Sequence, residues 1–230
     1  KPVKAKHVRE IARVALGVED TASMDHTVDE SEARAVNCQI ISYLTQHMVD
    51  FDTKTRLPDS AYIIAMAERD MRKHGLDFLV IDPYVFIDMT EGGSRATETE
   101  KVRLMLTKLQ AWSRARRVWT IVVAHPRIQY KDGHESFPPL DIYSIAGSAQ
   151  WANLADFLFT VRRMNKPEEG KSYTIVEMLK VRDQEFCQPG KVLYVRQPCG
   201  RYDERDSEED CIAECLQHKI LPKDVEPWAV

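Results

Sequence analysis

The feature that most limits the possible folds of this chain is a short apolar run that ends in a carboxylate. Residues 76–82 read Leu-Asp-Phe-Leu-Val-Ile-Asp, and a Pro-Tyr pair follows directly. A run of this length and composition beside a proline turn is typical of a buried strand. A helix is predicted immediately before it, because Pro58-Asp59 opens an apolar-periodic segment that stops at His74-Gly75. A helix followed at once by a buried strand predicts an α/β fold, with Asp82 at the carboxyl end of the strand.

A second apolar run, over residues 118–124, ends at His125-Pro126. A long helix is predicted between the two runs, led by the residues Thr-Glu-Thr-Glu at 97–100. This alternation predicts a largely parallel sheet covered by helices. Ligands bind at the carboxyl ends of the strands in such sheets, so Asp82 and His125 are expected to converge on one crevice. Each has an ordinary alternative when read alone: Asp82 as a turn residue before a proline, and His125 as a structural histidine.

Three further strands are predicted towards the C-terminus, over residues 157–161, 173–181 and 191–195. Their close spacing, with turn residues between them, predicts antiparallel hairpins at the edge of the sheet. Lys180 and Arg182 lie two positions apart on the second of these strands, so both side chains point to the same face. The pair suits phosphate contact, since Arg binds through its fork and Lys as a point charge. A solvated edge strand is the alternative.

The segments around these strands are less regular. Residues 127–143 are polar and contain prolines, which predicts a long loop of the kind that is functional or disordered. Gly147 and Ser148 follow it and either begin a short helix or belong to a site. The chain turns acidic after Pro198. We therefore expect one domain over residues 1–198 and an acidic tail over residues 199–230.

Composition limits the class of protein. Hydrophobic residues make up 43% of the chain and charged residues 30%, which is ordinary for a soluble globular protein. The net charge of −4 excludes a global basic field, so any contact with nucleic acid requires a local patch or a ring-shaped assembly. The five irregularly spaced cysteines favour reduced thiols over a zinc site at Cys211 and Cys215. No apolar run is long enough to span a bilayer. We expect a cytoplasmic protein.

Taken in chain order, these motifs resemble the RecA-like motor domain of the DnaB superfamily, and most of all its Twinkle and phage primase-helicase branch. The resemblance extends over roughly residues 3–195. The matching segments are Leu-Val-Ile-Asp-Pro-Tyr at 79–84, Thr-Glu-Thr-Glu at 97–100, Val-Val-Ala-His-Pro at 122–126, residues 145–156, and Leu-Lys-Val-Arg at 179–182.

The resemblance implies an α/β fold with a RecA-like, mostly parallel sheet flanked by helices and antiparallel edge strands near the C-terminus. It also implies an ATP-dependent replicative DNA helicase that moves on single-stranded DNA as a ring, typically a hexamer, in a bacterial or phage-infected cell. A primase domain or partner is possible in this family. The alternatives are a RecA-like ATPase of another class, such as a plasmid RepA-type helicase or a recombinase, and an assembly module that no longer binds nucleotide.

Individual residues acquire roles through this resemblance. Asp82 looks like the Walker B carboxylate that organises Mg²⁺ beside ATP, and His125 looks like the sensor of the γ-phosphate. Arg182 resembles an arginine finger that reaches the ATP site of the neighbouring subunit, with Lys180 beside it. The predicted DNA contacts are Arg127, Lys131, Gly147 and Ser148.

One departure from the family is serious. Neither the glycine-rich phosphate loop nor the catalytic Glu of this family is found in the 230 residues. Both would fall upstream of Lys1, so we expect the fold to be incomplete at its N-terminal side. We also expect this chain alone to be inactive, and part of its sheet to expose apolar surface.

Overall fold

The structure is a computed structural model, and it describes only part of the chain. Most of the protein from residue 30 onwards is included, but only residues 11 and 14 are described before that point. The described residues are 11, 14, 30–48, 57–90, 95–126, 140–145, 149–166, 171–185 and 187–217, excluding the side chains of 30–34, 37, 165, 166 and 171.

The chain divides into two compact units. The first, here called the parallel-sheet unit, consists of Thr53–Phe159 and Met178–Pro189. The second, the antiparallel-sheet unit, consists of Lys1–Asp52, Thr160–Glu177 and Gly190–Val230. The boundary at residue 198 that the sequence suggests between a domain and an acidic tail stays a prediction.

The elements alternate in the order that the sequence predicts. The helices are α1 (Glu30–His47), α2 (Ser60–His74), α3 (Glu98–Arg116), α4 (Gln150–Leu154) and α5 (Glu208–Gln217), with a 3₁₀ turn at Tyr84–Phe86. The strands are β1 (Phe78–Ile81), β2 (Trp119–Val122), β3 (Phe157–Lys166), β4 (Lys171–Val181), β5 (Gly190–Arg196) and β6 (Tyr202–Arg205).

Local chemistry fixes the ends of the two long helices in the parallel-sheet unit. The Asp59 carboxylate accepts a hydrogen bond from the Tyr62 backbone N–H at 2.7 Å and caps the start of α2. This helix ends at Gly75, whose φ of 77° lies in a region that L side chains rarely adopt. Helix α3 begins with a complete capping box, in which Thr97 and Glu100 satisfy each other's backbone N–H groups. These signals explain why both helices begin where the sequence predicts.

Strands β1 and β2 pair in parallel, with Phe78 beside Trp119 and Ile81 beside Val122. The predicted second run is shorter as a strand than its apolar sequence suggests, and its last three residues are only half-buried. One face of β1 joins the core of the unit, which is formed mainly by α2, α3 and α4. The buried members of this core are Ala67, Leu79, Ile81, Tyr84, Ile87, Val102, Met105, Leu109, Trp112, Val118 and Trp151.

The second sheet has the strand order β3-β4-β5-β6. Strands β5 and β6 are antiparallel, with Leu193 beside Arg205 and Arg196 beside Tyr202. Sequence reasoning identified β3, β4 and β5 but missed β6, which is short and reads as the start of the acidic segment. Helix α5 packs on β5 and β6, and its two cysteines join a buried cluster with Tyr173, Ile175, Leu193 and Val195.

The predicted fold class is therefore confirmed: an α/β protein with a parallel strand pair and an antiparallel set of strands nearer the C-terminus. Within the part of the chain that the structure describes, no helix combines the length and the apolar character needed to cross a membrane.

Candidate functional site

The carboxyl ends of β1 and β2 lie side by side. The Val123 backbone N–H donates to the Ile81 carbonyl at 2.8 Å, and the Tyr84 N–H donates to the Val123 carbonyl at 2.9 Å. These bonds continue the parallel pairing past the last residue of each strand. Asp82 follows β1 directly, and His125 comes three residues after the end of β2. The structure thus places both predicted residues at one edge of the same strand pair.

The backbone around Asp82 is anchored on both sides. Ile81 before it is buried in the core, and Tyr84 after it is buried with its ring against Trp151, edge to face at a centroid distance of 4.8 Å. The Asp82 side chain itself is exposed. A carboxylate held by buried neighbours and open to solvent is a suitable ligand for a hard cation that keeps most of its water.

Of the other predicted site residues, some are described by the structure and some are not. His125 is exposed, so its imidazole is accessible from solvent. Arg127, Lys131, Gly147 and Ser148 lie outside the described residues, so their proposed DNA contacts stay predictions.

Arg182 follows directly after β4 and is tied to the end of the short helix α4. Its Nε lies 2.7 Å from Oδ1 of Asp156. Its Nη2 donates to the carbonyls of Asn153 and Leu154, both at 3.0 Å, and to that of Ala155 at 3.4 Å. These carbonyls belong to the last turn of a helix, where no intrahelical donor reaches them.

Lys180 reaches the same helix end, since its Nζ donates to the Ala152 carbonyl at 2.5 Å. Both cations thus lie on one side of the strand, as their spacing predicts. The alternative of a solvated edge strand is wrong, because β4 lies between β3 and β5. Burial, and secondly the nearby Arg182 charge, lower the pKa of Lys180, while Asp156 acts in the opposite direction.

Sequence reasoning missed the residues around Asp156. Arg114 of α3 donates from Nη2 to Oδ1 of Asp156 at 3.0 Å. Gln110, one turn earlier, donates to the Leu154 carbonyl at 2.8 Å. Asp156 was visible in the sequence only as a polar residue before a strand, and nothing marks Arg114 among the many charged positions of its helix. Their partnership spans 42 positions, so no local pattern could have found it.

The described residues contain no group of three or more His, Cys, Asp or Glu side chains that could hold a metal ion. Cys211 and Cys215 are both buried in the antiparallel-sheet unit, which agrees with their interpretation as reduced thiols. The single carboxylate of Asp82 is nevertheless compatible with Mg²⁺, because this ion is commonly held by one or two carboxylates together with water and substrate phosphates.

Comparisons with known proteins identify proteins that are similar to this chain. No protein-family model matches it. A search of curated proteins finds the Twinkle homolog protein, chloroplastic/mitochondrial, of Arabidopsis thaliana, which is 34% identical over 123 residues. The match covers 53% of this chain and 16% of that protein, so the chain spans about a sixth of the relative's length.

Solved structures resemble the chain over more of its length. One of them, a separately solved ATPase domain, superposes with a TM-score of 0.68 at 16% identity, covering 89% of this chain and 72% of that one. A DnaB-like replicative helicase, solved in a study of its interactions with primase, gives the same TM-score of 0.68 at 14% identity over 89% of this chain and 48% of that one. The fold is that of DnaB-like helicase ATPase domains, and over about half of its length the chain is similar in sequence to a Twinkle homolog.

Proposed function

We propose that this chain is part of the motor domain of an ATP-dependent replicative DNA helicase that translocates on single-stranded DNA as a ring. The observation that carries the proposal is the position of Asp82 and His125 at one edge of the parallel strand pair. The similarity to DnaB-like helicases and to a Twinkle homolog supports it over a recombinase or a plasmid RepA-type helicase.

In the proposed mechanism, ATP binds at this strand edge. The exposed carboxylate of Asp82 would hold Mg²⁺ there, the ion would supply neutralisation of charge on the phosphates, and the anchored backbone of Asp82 keeps the carboxylate in place. His125 donates to the γ-phosphate and transmits the state of the nucleotide to the segment after it. That segment includes Arg127 and Lys131, which we propose as contacts to the phosphates of single-stranded DNA together with Gly147 and Ser148.

Arg182 and Lys180 complete the site of a neighbouring subunit. A guanidinium in this role stabilises the charge that develops on the transferred phosphoryl group and raises kcat by about 10³- to 10⁵-fold. Such a contact in trans requires a closed assembly, and we propose a ring of six. In a ring, basic segments from every copy face one channel, which reconciles DNA binding with a net charge of −4.

One matched structure also bears on the partners of this protein. One solved neighbour is described with primase, and we propose a primase domain or partner for this protein as well. We propose that the protein acts in the cytoplasm of a bacterial or phage-infected cell, although the Arabidopsis relative is named as an organellar protein. Fractionation of the native host, followed by detection with an antibody, tests the compartment.

The experiment that tests the function measures ATP hydrolysis and duplex unwinding by the full-length protein, with and without single-stranded DNA. The full-length protein is needed because these 230 residues contain no phosphate loop. We expect Asp82→Asn to lower kcat by about 10²-fold or more, because the carboxylate that holds the ion is lost.

Asp77→Asn is the matched control. Asp77 is an exposed aspartate at the amino end of the same strand, so its replacement should leave both activities unchanged. Strand exchange without unwinding would identify a recombinase instead. A protein that neither binds nor hydrolyses ATP would support the assembly-module alternative and would refute the proposal.

A further inference from the structure

A cluster of charged side chains surrounds Asp156 in the parallel-sheet unit. Its Oδ1 forms an ion pair with the Nε of Arg182 at 2.7 Å and accepts a hydrogen bond from the Nη2 of Arg114 at 3.0 Å. Gln110 Nε2 approaches both carboxylate oxygens, at 3.5 and 3.4 Å. Asp156 therefore joins helix α3, the loop before β3 and the end of β4 through one carboxylate.

The contacts of Arg182 fix which edge of its guanidinium is in use. Nε lies against the Asp156 carboxylate in an ion pair, and Nη2 donates to the carbonyls at the end of α4, so the edge of the guanidinium formed by Nε and Nη2 faces these partners. Among the residues that the structure describes, Nη1 has no hydrogen-bond partner. Because the guanidinium is planar, holding one edge also fixes the direction of the other. The direction of the remaining N–H groups is thus fixed as well.

The charges of the cluster leave it suited to an anion. Arg114 and Arg182 pair with the single carboxylate of Asp156, and Lys180 donates to a carbonyl of the same helix α4, so these four side chains together carry a net positive charge. If Arg182 were paired with Asp156 alone, the carboxylate would cancel its charge towards an approaching phosphate. The second arginine offsets that loss, and Asp156 can orient Arg182 without neutralising the site.

Stability alone does not account for this arrangement. The side chains of Arg182 and Asp156 are 46% and 39% exposed, and ion pairs this accessible stabilise a fold very little. An arginine side chain nevertheless has many rotamers, and restricting them before a ligand arrives increases binding by lowering the entropy lost on contact. The pair can therefore act on function while contributing little to folding.

We propose that Asp156 is a positioning residue for Arg182, holding the guanidinium by its Nε so that its other edge is presented to an anionic phosphoryl group. This rests on the proposed function, in which Arg182 acts on the nucleotide of a neighbouring subunit. Asp156 itself contacts no substrate, and Arg114 preserves the positive charge that the anion meets.

The first test follows ATP hydrolysis by the full-length protein. We expect Asp156→Asn to lower kcat by about 10- to 100-fold with little change in KM, because a misplaced catalytic group costs rate rather than binding. Asp156→Glu, which restores the carboxylate, should recover part of the rate. In an Arg182→Ala background, Asp156→Asn should have no further effect, since the residue it positions is absent.

The matched control is Asp203→Asn. Asp203 pairs with Arg201 at the same Nε–Oδ1 distance of 2.7 Å, but in the antiparallel-sheet unit, so its replacement should not change the rate. If Arg182→Ala lowers kcat and Asp156→Asn does not, the positioning role is refuted while the proposed function stands. If Arg182→Ala itself has no effect, the proposed function of Arg182 fails, and the second test decides whether Asp156 holds it.

The second test needs no nucleotide. Phenylglyoxal reacts with accessible guanidinium groups, and mass spectrometry of peptides gives the rate at each arginine. In the nucleotide-free protein we expect Arg182 to react several-fold faster after Asp156→Asn, with Arg201 unchanged. After Asp203→Asn we expect Arg201 to react several-fold faster, with Arg182 unchanged. An Arg182 that reacts equally fast with and without the Asp156 carboxylate would overturn the inference.

Discussion

At the scale of single residues, the two cysteines of α5 illustrate how position decides chemistry. Cys211 is fully buried, and Cys215, one turn later, is nearly so and lies 3.5 Å from the Ser172 carbonyl. Burial, together with the neighbouring Cys215, raises the pKa of Cys211 from 9.0 to about 11. These thiols are therefore unreactive core residues at neutral pH, because it is the thiolate that binds metals or acts as a nucleophile.

A pH dependence of stability follows from this shift. A pKa that is higher in the folded state means that the folded state holds its proton more tightly. The contribution to stability is complete below about pH 9 and is lost as the pH rises towards about 11. The loss is on the order of 3 kcal/mol, since the shift is about two pKa units and each unit is worth about 1.36 kcal/mol. Thermal unfolding measured between these pH values should show a steeper fall for the natural protein than for Cys211→Ala.

Cys187→Ala serves as the control for that measurement, because Cys187 is exposed. Its unfolding temperature should fall with pH as steeply as that of the natural protein. If the unfolding temperatures of Cys211→Ala and of the natural protein fall equally steeply with pH, the assignment of the pKa shift to Cys211 is contradicted.

At the scale of elements, two adjacent residues of strand β1 lie in different environments, one in the core and one on the surface. Leu79 is 5% exposed and packs in the core, whereas Val80 is 58% exposed on the opposite face. Successive side chains of a strand point to opposite faces, so this contrast follows from the geometry of β1 alone.

We expect Leu79→Ala to lower the free energy of unfolding by about 2–5 kcal/mol, because it leaves a cavity in the core. Val80→Ala on the same strand should cost less than about 1 kcal/mol. Urea denaturation of the two variants measures both values. Similar losses for the two would mean that the register of β1 is wrong.

The capping box of α3 gives a second test of an element. Thr97 Oγ1 accepts the Glu100 N–H at 3.3 Å, and Glu100 accepts the Thr97 N–H at 2.8 Å. Replacing Thr97 by Ala should destabilise the protein by about 1 kcal/mol, as for other helix caps. Thr107→Ala, in the exposed middle of the same helix, should stay within about 0.5 kcal/mol of the natural protein. Chemical denaturation curves distinguish the two, and equal effects would argue against the cap.

The elements also show what the sequence can and cannot predict. Helices α2 and α3 and strand β1 were predictable because apolar periodicity and the residues at the helix ends are local signals. The shared edge of Asp82 and His125 was predictable because both follow apolar strands in an alternating pattern. The link between Arg114, Asp156 and Arg182 was not, since it depends on α3, α4 and β4 meeting in space. Strand β6 was missed because its pairing with β5, not its own composition, makes it a strand.

At the scale of the whole molecule, the parallel-sheet unit carries exposed apolar surface. Phe78, Val80 and Trp119 are each more than half exposed on the strand pair of the parallel-sheet unit. Exposed apolar patches of this kind mark interaction surfaces or aggregation hazards.

We propose that, in the assembled protein, one ATP site uses Asp82 from one subunit and Arg182 from its neighbour. Two inactive variants of the full-length protein test it directly: Asp82→Asn lacks the ion-holding carboxylate, and Arg182→Ala lacks the finger. Assembled together in equal amounts, they form some interfaces that combine an intact Asp82 with an intact Arg182. For random assembly of a ring this fraction is about a quarter.

The decisive measurement is therefore DNA-stimulated ATP hydrolysis by the co-assembled mixture. We predict that the mixture regains up to about a quarter of the natural rate, although each variant alone is inactive, because a finger supplied in trans can complete a neighbouring site. A mixture as inactive as its two components would contradict a site shared between subunits, and with it the ring motor proposed for this chain.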